Sequence, residues 1–364
     1  MSIVFPSFSK FLKSLAIVTF MTLSSTSTFA MNDPEDEEIL RGGTVTGSLP
    51  SSDAASSSQG SIAASLNMAS SKELKFLSSG RYIKKVSLRD GLIALYTEKQ
   101  KRQVEKRKTK LPDVTGFRRQ ELEGKSIYFF TEGDECKIIG KHHEYISNAV
   151  PEIRGLKRVY NFVAHHNKIA KSENLPAIVQ YRGSIKVEEA PLILLDKAEG
   201  VPLNRFFDSD FDVAELSSHA YDIGLQLGNF YAKYTDVDGV VVHGDAHLEN
   251  IFYDKDARRV WMIDTSSISK KPIDSLKSDL SNLFNHSQPK VHQTPFFYLK
   301  RSSYEGNKND IERKTLLLTK MKEGFLEGIK NNAALDPHQE IQPLLDSYIK
   351  NSHSWMLDVL SRTS

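Results

Sequence analysis

Three oxygen-bearing side chains stand at a spacing that suits proton and phosphoryl chemistry. Asp245 and Asn250 lie in His243-Gly244-Asp245-Ala246-His247-Leu248-Glu249-Asn250, and Asp264 closes Trp261-Met262-Ile263-Asp264. A carboxylate at 245 can take the proton of an attacking hydroxyl. The Asn250 amide oxygen and the Asp264 carboxylate are hard ligands for magnesium, which bridges nucleotide phosphates and needs few protein ligands. Aspartate, asparagine and a second aspartate in this order form the set used for phosphoryl transfer to an alcohol. His243 and His247, taken singly, read as structural residues that lock the loop through hydrogen bonds.

The elements that must position these groups are visible on both sides. Val240-Val241-Val242 is a β-branched run that delivers His243 and Asp245 onto a loop. Ile251-Phe252-Tyr253 and Val260-Trp261-Met262-Ile263, joined through Asp254–Arg259, predict a hairpin that returns Asp264 beside Asn250. Upstream, Asp212 and Glu215 are spaced as a capping box. Leu216, Ala220, Ile223, Leu227, Phe230 and Tyr234 then mark one face of a helix packed under the loop. Downstream, amphipathic helices are expected over 311–330 and over 340–360.

The H-G-D-x-H-x-x-N loop followed by I-D resembles the aminoglycoside phosphotransferase and choline kinase family, a branch of the protein-kinase-like fold. That resemblance implies an α+β fold with a small β-rich N-lobe and a larger helical C-lobe, and use of ATP and Mg²⁺. It makes Asp245 the catalytic base and Asn250 and Asp264 the metal ligands, and Asp279-Leu280-Ser281-Asn282-Leu283 resembles the family's helix after the metal aspartate, with Asp279 bracing the loop. Two positions depart from the pattern: Glu249 replaces a proline or small residue, and Thr265-Ser266-Ser267 follows Asp264 where an aromatic residue or glycine is usual.

In the smaller lobe, Ser126–Thr131 and Glu135–Lys141 read as a hairpin around Glu132-Gly133-Asp134, with Lys137 and Lys141 on one face of its second strand. Ile138-Ile139-Gly140-Lys141 resembles the kinase V-A-I-K pattern. It makes Lys141 the residue that holds nucleotide phosphates, with Lys137 in reserve. Pro151-Glu152 predicts a helix start. The resemblance makes Glu152 the partner that orients Lys141, although a first-turn glutamate has an ordinary capping role as well. Ile178–Tyr181 and Pro191–Leu195 are further expected strands. The latter leads into Asp196–Leu203, which resembles the family's inter-lobe linker. No G-x-G-x-x-G loop is present, which excludes a close match to typical protein kinases.

Composition sets the outer bounds. The chain has 364 residues, 39% hydrophobic, with a net charge of +2. This is enough for two globular lobes and gives no reason to expect nucleic-acid binding. A single cysteine, Cys136, excludes an intramolecular disulfide and a cysteine zinc site. Residues 1–30 read as a secretory signal: Lys10 and Lys13, the apolar run Leu15–Leu23, then small residues to Ala30. That run is short for a bilayer, and no stable membrane span is expected. Residues 31–71 read as a disordered Ser/Ala/Gly-rich spacer. Residues 72–115 form a helical, charge-rich extension whose run from Glu98 to Lys110 suits a solvated helix face. The N-lobe is expected over 116–199 and the C-lobe over 200–364.

The sequence thus points to an exported, ATP- and magnesium-dependent phosphotransferase acting on a hydroxyl of a small molecule or protein. Export implies a destination that holds ATP, such as a secretory lumen or the interior of a host cell. Two alternatives fit the same residues: a non-catalytic nucleotide-binding or interaction module, and a kinase-fold adenylyltransferase.

Overall fold

The structure is a computed structural model that describes residues 77–78, 81–82, 88–106, 110–122, 124–187, 190–287, 304–335 and 337–363. The expected signal at 1–30, the spacer at 31–71 and part of the charge-dense run fall outside the described residues. Among those described, one contact unit comprises 77–151 and 182–196, and the other comprises 152–181 and 197–363. No described helix is long and apolar enough to cross a membrane.

The first unit is a five-stranded sheet with a helix on one face. Its strands are β1 (Gly116–Leu122), β2 (Lys125–Glu132), β3 (Glu135–His143), β5 (Tyr181–Val187) and β6 (Ala190–Asp196), in the spatial order β1-β2-β3-β6-β5. β1–β2, β2–β3 and β3–β6 pair antiparallel. Alternation along the central strands sends Tyr128, Phe130, Ile138, Leu192 and Leu194 to one face, where they form a buried cluster with Leu92, Tyr96 and Leu111. Leu92 and Tyr96 come from α1 (Leu88–Glu105). The Tyr96 ring stacks on Phe130 at 5.1 Å, and its hydroxyl donates to the Pro112 carbonyl at 2.9 Å. Gln100 and Gln103 extend the attachment by donating to the carbonyls of Leu111 and Arg182. A helix that reads as a charged extension is therefore part of the sheet's core, through Leu92 and Tyr96 with Ile93 and Leu95 packed beside them.

The expected hairpin is β2–β3, with one change. A register shift between Phe130 and Thr131 breaks the alternation near Lys137. Lys137 sits in ion pairs with Glu135 and Glu132 at 2.6 and 3.7 Å, whereas Lys141 is 2% exposed. The shared face expected for the two lysines is lost at this bulge. Two strands went unread in the sequence: β1 and most of β5. Ile178–Tyr181 is not one strand: Ala177–Ile178 (β4) pairs parallel with Trp261–Met262, both within the other unit, and β5 begins at Tyr181.

The helix expected to start at Pro151 is α2 (Ile146–Ile169), with Pro151 inside it. Its bond to residue 147 is lost, but so near the N-terminus the helix continues. In the second unit, β7 (Val201–Pro202) runs into α3 (Leu203–Phe207). α4 (Val213–Lys233) is capped as expected: the Asp212 carboxylate accepts from the Ala214 and Glu215 amides. Glu215 does not close the box and instead pairs with Lys255 at 2.6 Å. The α4 face of Leu216, Ala220, Ile223, Leu227 and Phe230 is buried against Met321, Phe325 and Ile329 of α6 (Tyr304–Ile329). After α4 come β8 (Thr235–Asp236), β9 (Gly239–Val242), the hairpin β10 (Ile251–Asp254) and β11 (Arg259–Met262), β12 (Ser269–Lys271) and α5 (Leu276–Phe284). α7 (Gln342–Thr363) follows α6. β9 pairs with β8 and β12, and β10 pairs with β7 and β11. This is the β-rich then helix-rich α+β order implied by the kinase-like resemblance.

Candidate active site

The loop between β9 and β10 is fixed from beneath by one buried carboxylate. Asp279 of α5 is 1% exposed; it accepts from the amides of His243 (2.7 Å) and Gly244 (3.0 Å) and from the Tyr231 hydroxyl (3.0 Å). Burial, followed by the Asp279 charge, pushes the Tyr231 phenol well above its usual range, so it stays a donor. Asp279 braces the loop's backbone, as expected, and Tyr231 completes the brace.

His243 is fully buried and joins the loop to the hairpin. One ring nitrogen, Nε2, lies 2.8 Å from the Ile263 carbonyl, and Nδ1 lies 3.3 Å from the Asp245 amide. These partners select the neutral tautomer with its proton on Nε2, where it donates to Ile263. Ile263 in turn donates its amide to the Asn250 carbonyl at 3.0 Å. The residue before Asp264 is thereby held by both ends of the catalytic loop.

Asn250, fully buried, connects the two expected roles. Its Nδ2 donates to the Asp245 carbonyl at 3.0 Å and to the Asp245 carboxylate at 3.2 Å. Its Oδ1 is buried and has no hydrogen-bond partner among the described residues. A buried amide oxygen left in that condition costs free energy unless something else ligates it. Asp264 is 4% exposed and left-handed (φ 58°, ψ 50°), and its side chain makes no capping bond to the 3₁₀ turn that follows. A non-glycine residue in that region is uncommon and is kept there by its surroundings. A hard divalent cation fits this donor set of one neutral oxygen and one carboxylate. Among the described residues no group of three or more His, Cys, Asp or Glu forms a metal site, so such a cation would draw its other ligands from phosphate and water.

His247 lies between two carboxylates, 3.7 Å from Asp245 and 3.9 Å from Glu249. Glu249 is buried and accepts from the Asn204 amide at 3.2 Å, while the Leu203 amide donates to the Leu248 carbonyl. Glu249, unusual at its position by sequence pattern, thus ties the loop to α3. Asn204 is distant in sequence, and no local signal marks it.

Of the sequence-expected site residues, Asp245, Asn250 and Asp264 come together in the helix-rich unit. Lys141 lies on β3 of the sheet unit, opposite Ile127 and Ile193, and Glu152 is a buried residue of α2 in the helix-rich unit. Sequence reading missed Tyr231 and Asn204, and also Gly155 and Arg158 of α2, which lie against Thr265-Ser266-Ser267.

The α+β chain thus brings together an aspartate, an asparagine bonded to it and a second, buried aspartate. Comparison with solved structures finds aminoglycoside phosphotransferases and protein kinases among the similar folds. A GDP complex of a point mutant of aminoglycoside 2'-phosphotransferase-IIIa aligns over 74% of this chain and 99% of its own, at 11% identity and a TM-score of 0.34. Aminoglycoside phosphotransferase APH(3'')-Id from Streptomyces rimosus aligns over 66% and 92%, at 13% identity and a TM-score of 0.35. The PknI kinase domain of Mycobacterium tuberculosis aligns over 66% and 98%, at 12% identity and a TM-score of 0.33. No protein-family model matches the sequence, and no curated protein matches it. The reading of the site rests on the geometry above.

Proposed function

We propose that the chain is an ATP- and Mg²⁺-dependent phosphotransferase that moves the terminal phosphate to a hydroxyl of a small molecule or protein. The observation that carries the proposal is the division of labour in Asn250. Its amide nitrogen orients the Asp245 carboxylate, its buried amide oxygen is left to ligate, and its carbonyl accepts from Ile263, the residue before Asp264. Asp245 accepts the acceptor's proton; Asn250 and Asp264 hold the metal. Magnesium, when bound, neutralises charge on the nucleotide phosphates. Lys141 and Glu152 keep the phosphate-positioning roles that the resemblance implies. In such a site catalysis is mainly positioning and charge neutralisation. An exported destination that contains ATP belongs to the same proposal, and detection of the mature protein only in an ATP-free compartment would count against it.

The test is calorimetric binding of ATP to the purified full chain, with magnesium and with chelator, beside Asp264→Ala. Magnesium-dependent binding that disappears in the variant is the expected result. A folded wild-type chain that binds no ATP under either condition refutes the proposal and favours an interaction module. Product mass on any acceptor then separates phosphoryl from adenylyl transfer.

A further inference from the structure

The segment after Asp264 lacks the glycine usual in the resembling family, yet it makes an abrupt turn. From Asp264 the backbone enters a 3₁₀ turn, Thr265–Ser267, and reaches β12 at Ser269. Each carbonyl in between is engaged. Thr265 accepts from the Ile268 amide at 3.2 Å and Ser267 from the Ser269 hydroxyl at 3.2 Å. The carbonyls of Ser266 and Ile268 both accept from one group, the Arg158 Nη2 on α2, at 3.1 and 3.4 Å. A planar guanidinium suits a bond shared between two carbonyls, whereas an ammonium is a compact point charge.

Two glycines close on this turn from opposite sides. A methyl group at Gly155, one turn before Arg158 on α2, would lie 2.3 Å from the Ser266 carbonyl oxygen. One at Gly244 would lie 3.0 Å from Ser267 Cβ and 3.1 Å from its carbonyl oxygen, and Gly244 has φ +85°. Gly155 leaves room for the Ser266 carbonyl, and Gly244, at positive φ, leaves room for Ser267. One of these, Gly244, precedes Asp245. The other lies on a helix more than a hundred residues earlier in the chain.

We propose that Gly155 and Arg158 are positioning residues for Asp264: α2 sets the direction of the metal-binding carboxylate by gripping the turn that follows it. The inference rests on the reading of Asp264 as a magnesium ligand. It goes further by making α2 a determinant of metal affinity, although neither residue is assigned to nucleotide or metal.

The experiment uses the full chain and three variants, Arg158→Met, Arg158→Lys and Gly155→Ala, with ATP and MgCl₂ as probes. Nucleotide binding is titrated against magnesium and also measured in chelator, and amide hydrogen exchange over 265–268 is followed without ligand. Arg158→Met is expected to raise the magnesium concentration for half-maximal binding at least tenfold. Binding in chelator should stay unchanged, and exchange should quicken at Ile268. Arg158→Lys should fall between it and wild type. Gly155→Ala keeps the guanidinium but displaces Ser266; it should shift the magnesium requirement in the same direction, and it carries the test if Arg158→Met fails to fold. A magnesium titration unchanged in both Arg158→Met and Gly155→Ala overturns the proposal, even with faster exchange, because the grip would then serve the turn and not the carboxylate. Equal loss of binding with and without magnesium overturns it as well. A wild-type chain with no magnesium-dependent binding removes the parent reading, and that failure is seen before any variant is compared.

Discussion

Removal of the Asp279 carboxylate should destabilise the helix-rich unit by an amount that can be worked from its three bonds. Asp279→Ala leaves the His243 amide, the Gly244 amide and the Tyr231 hydroxyl without their acceptor. Each buried group so left costs about 1–3 kcal/mol, and water reaching the part-buried Gly244 amide recovers some of it, so a net loss of about 3–5 kcal/mol is expected. Asp279→Asn keeps the volume and one acceptor oxygen but sets an amide donor against a backbone donor, for about 2–3 kcal/mol. Tyr231→Phe removes one donor and leaves the carboxylate its two amides, for about 1–2 kcal/mol. Against a total stability of about 5–15 kcal/mol these are large, ordered effects. Both tryptophans, Trp261 and Trp355, lie in the helix-rich unit, so urea unfolding of the full chain followed by tryptophan fluorescence reports on it. The double variant Asp279→Asn/Tyr231→Phe should cost less than the sum of the two, because they share a bond. If Asp279→Asn unfolds within 0.5 kcal/mol of wild type, as an order-of-magnitude threshold, the brace is not holding the loop and the reasoning fails.

Three further outcomes are expected. Burial pushes the His286 imidazole down to about 4 and also lowers that of His166, whose ring nitrogens lie 2.9 Å from the Tyr234 hydroxyl and 2.6 Å from the Pro176 carbonyl. Both are neutral in the fold and take up a proton more readily when unfolded. Stability should be full above about pH 6.5 and fall as pH drops toward 4, by up to about 1.4 kcal/mol per pH unit for each histidine. His286→Asn should flatten part of that acid limb in melting scans, and an unchanged limb would contradict the assignment. Leu92→Ala in α1 should cost about 2–5 kcal/mol in the sheet unit, read by hydrogen exchange in β2 and β3; exchange at wild-type rates would mean α1 is an appendage. Asp245→Asn should lower turnover by about 10²–10⁴-fold while leaving magnesium-dependent ATP binding in place, measured with water as a slow acceptor if no other is known.

The loop between β9 and β10 was legible because its information is local. Within 240–264 the chain states a strand, a loop with Asp245 and Asn250, and a hairpin that brings Asp264 back, and every one of these is found. The α4 face was legible for the same reason, as apolar residues at helical spacing. The role of α1 was not: Leu92 and Tyr96 are two buried side chains among many charges, and only the apolar face of the sheet, read together with the helix, explains them. Pro151 suggested a helix start and sits within a helix. Ile178–Tyr181 reads as one apolar strand, but its residues divide between two partners, a choice made by strands distant in sequence. The Arg158 contacts with Ser266 and Ile268 span more than a hundred residues, and an arginine on a helix face carries no mark of such a partner.

The order in which strands enter the sheet also bears on how a ribosome must deliver it. β3, which carries Lys141, finds β2 on one side as soon as the hairpin forms, but its other neighbour, β6, is made only after all of α2 and β5. Through that interval the nascent chain presents an open strand edge bordered by apolar residues, an invitation to mispairing until Ala190–Asp196 emerges. Synthesis that stalls between residues 144 and 190 would therefore release an aggregation-prone half-sheet, and slow elongation there would lengthen its need for a chaperone.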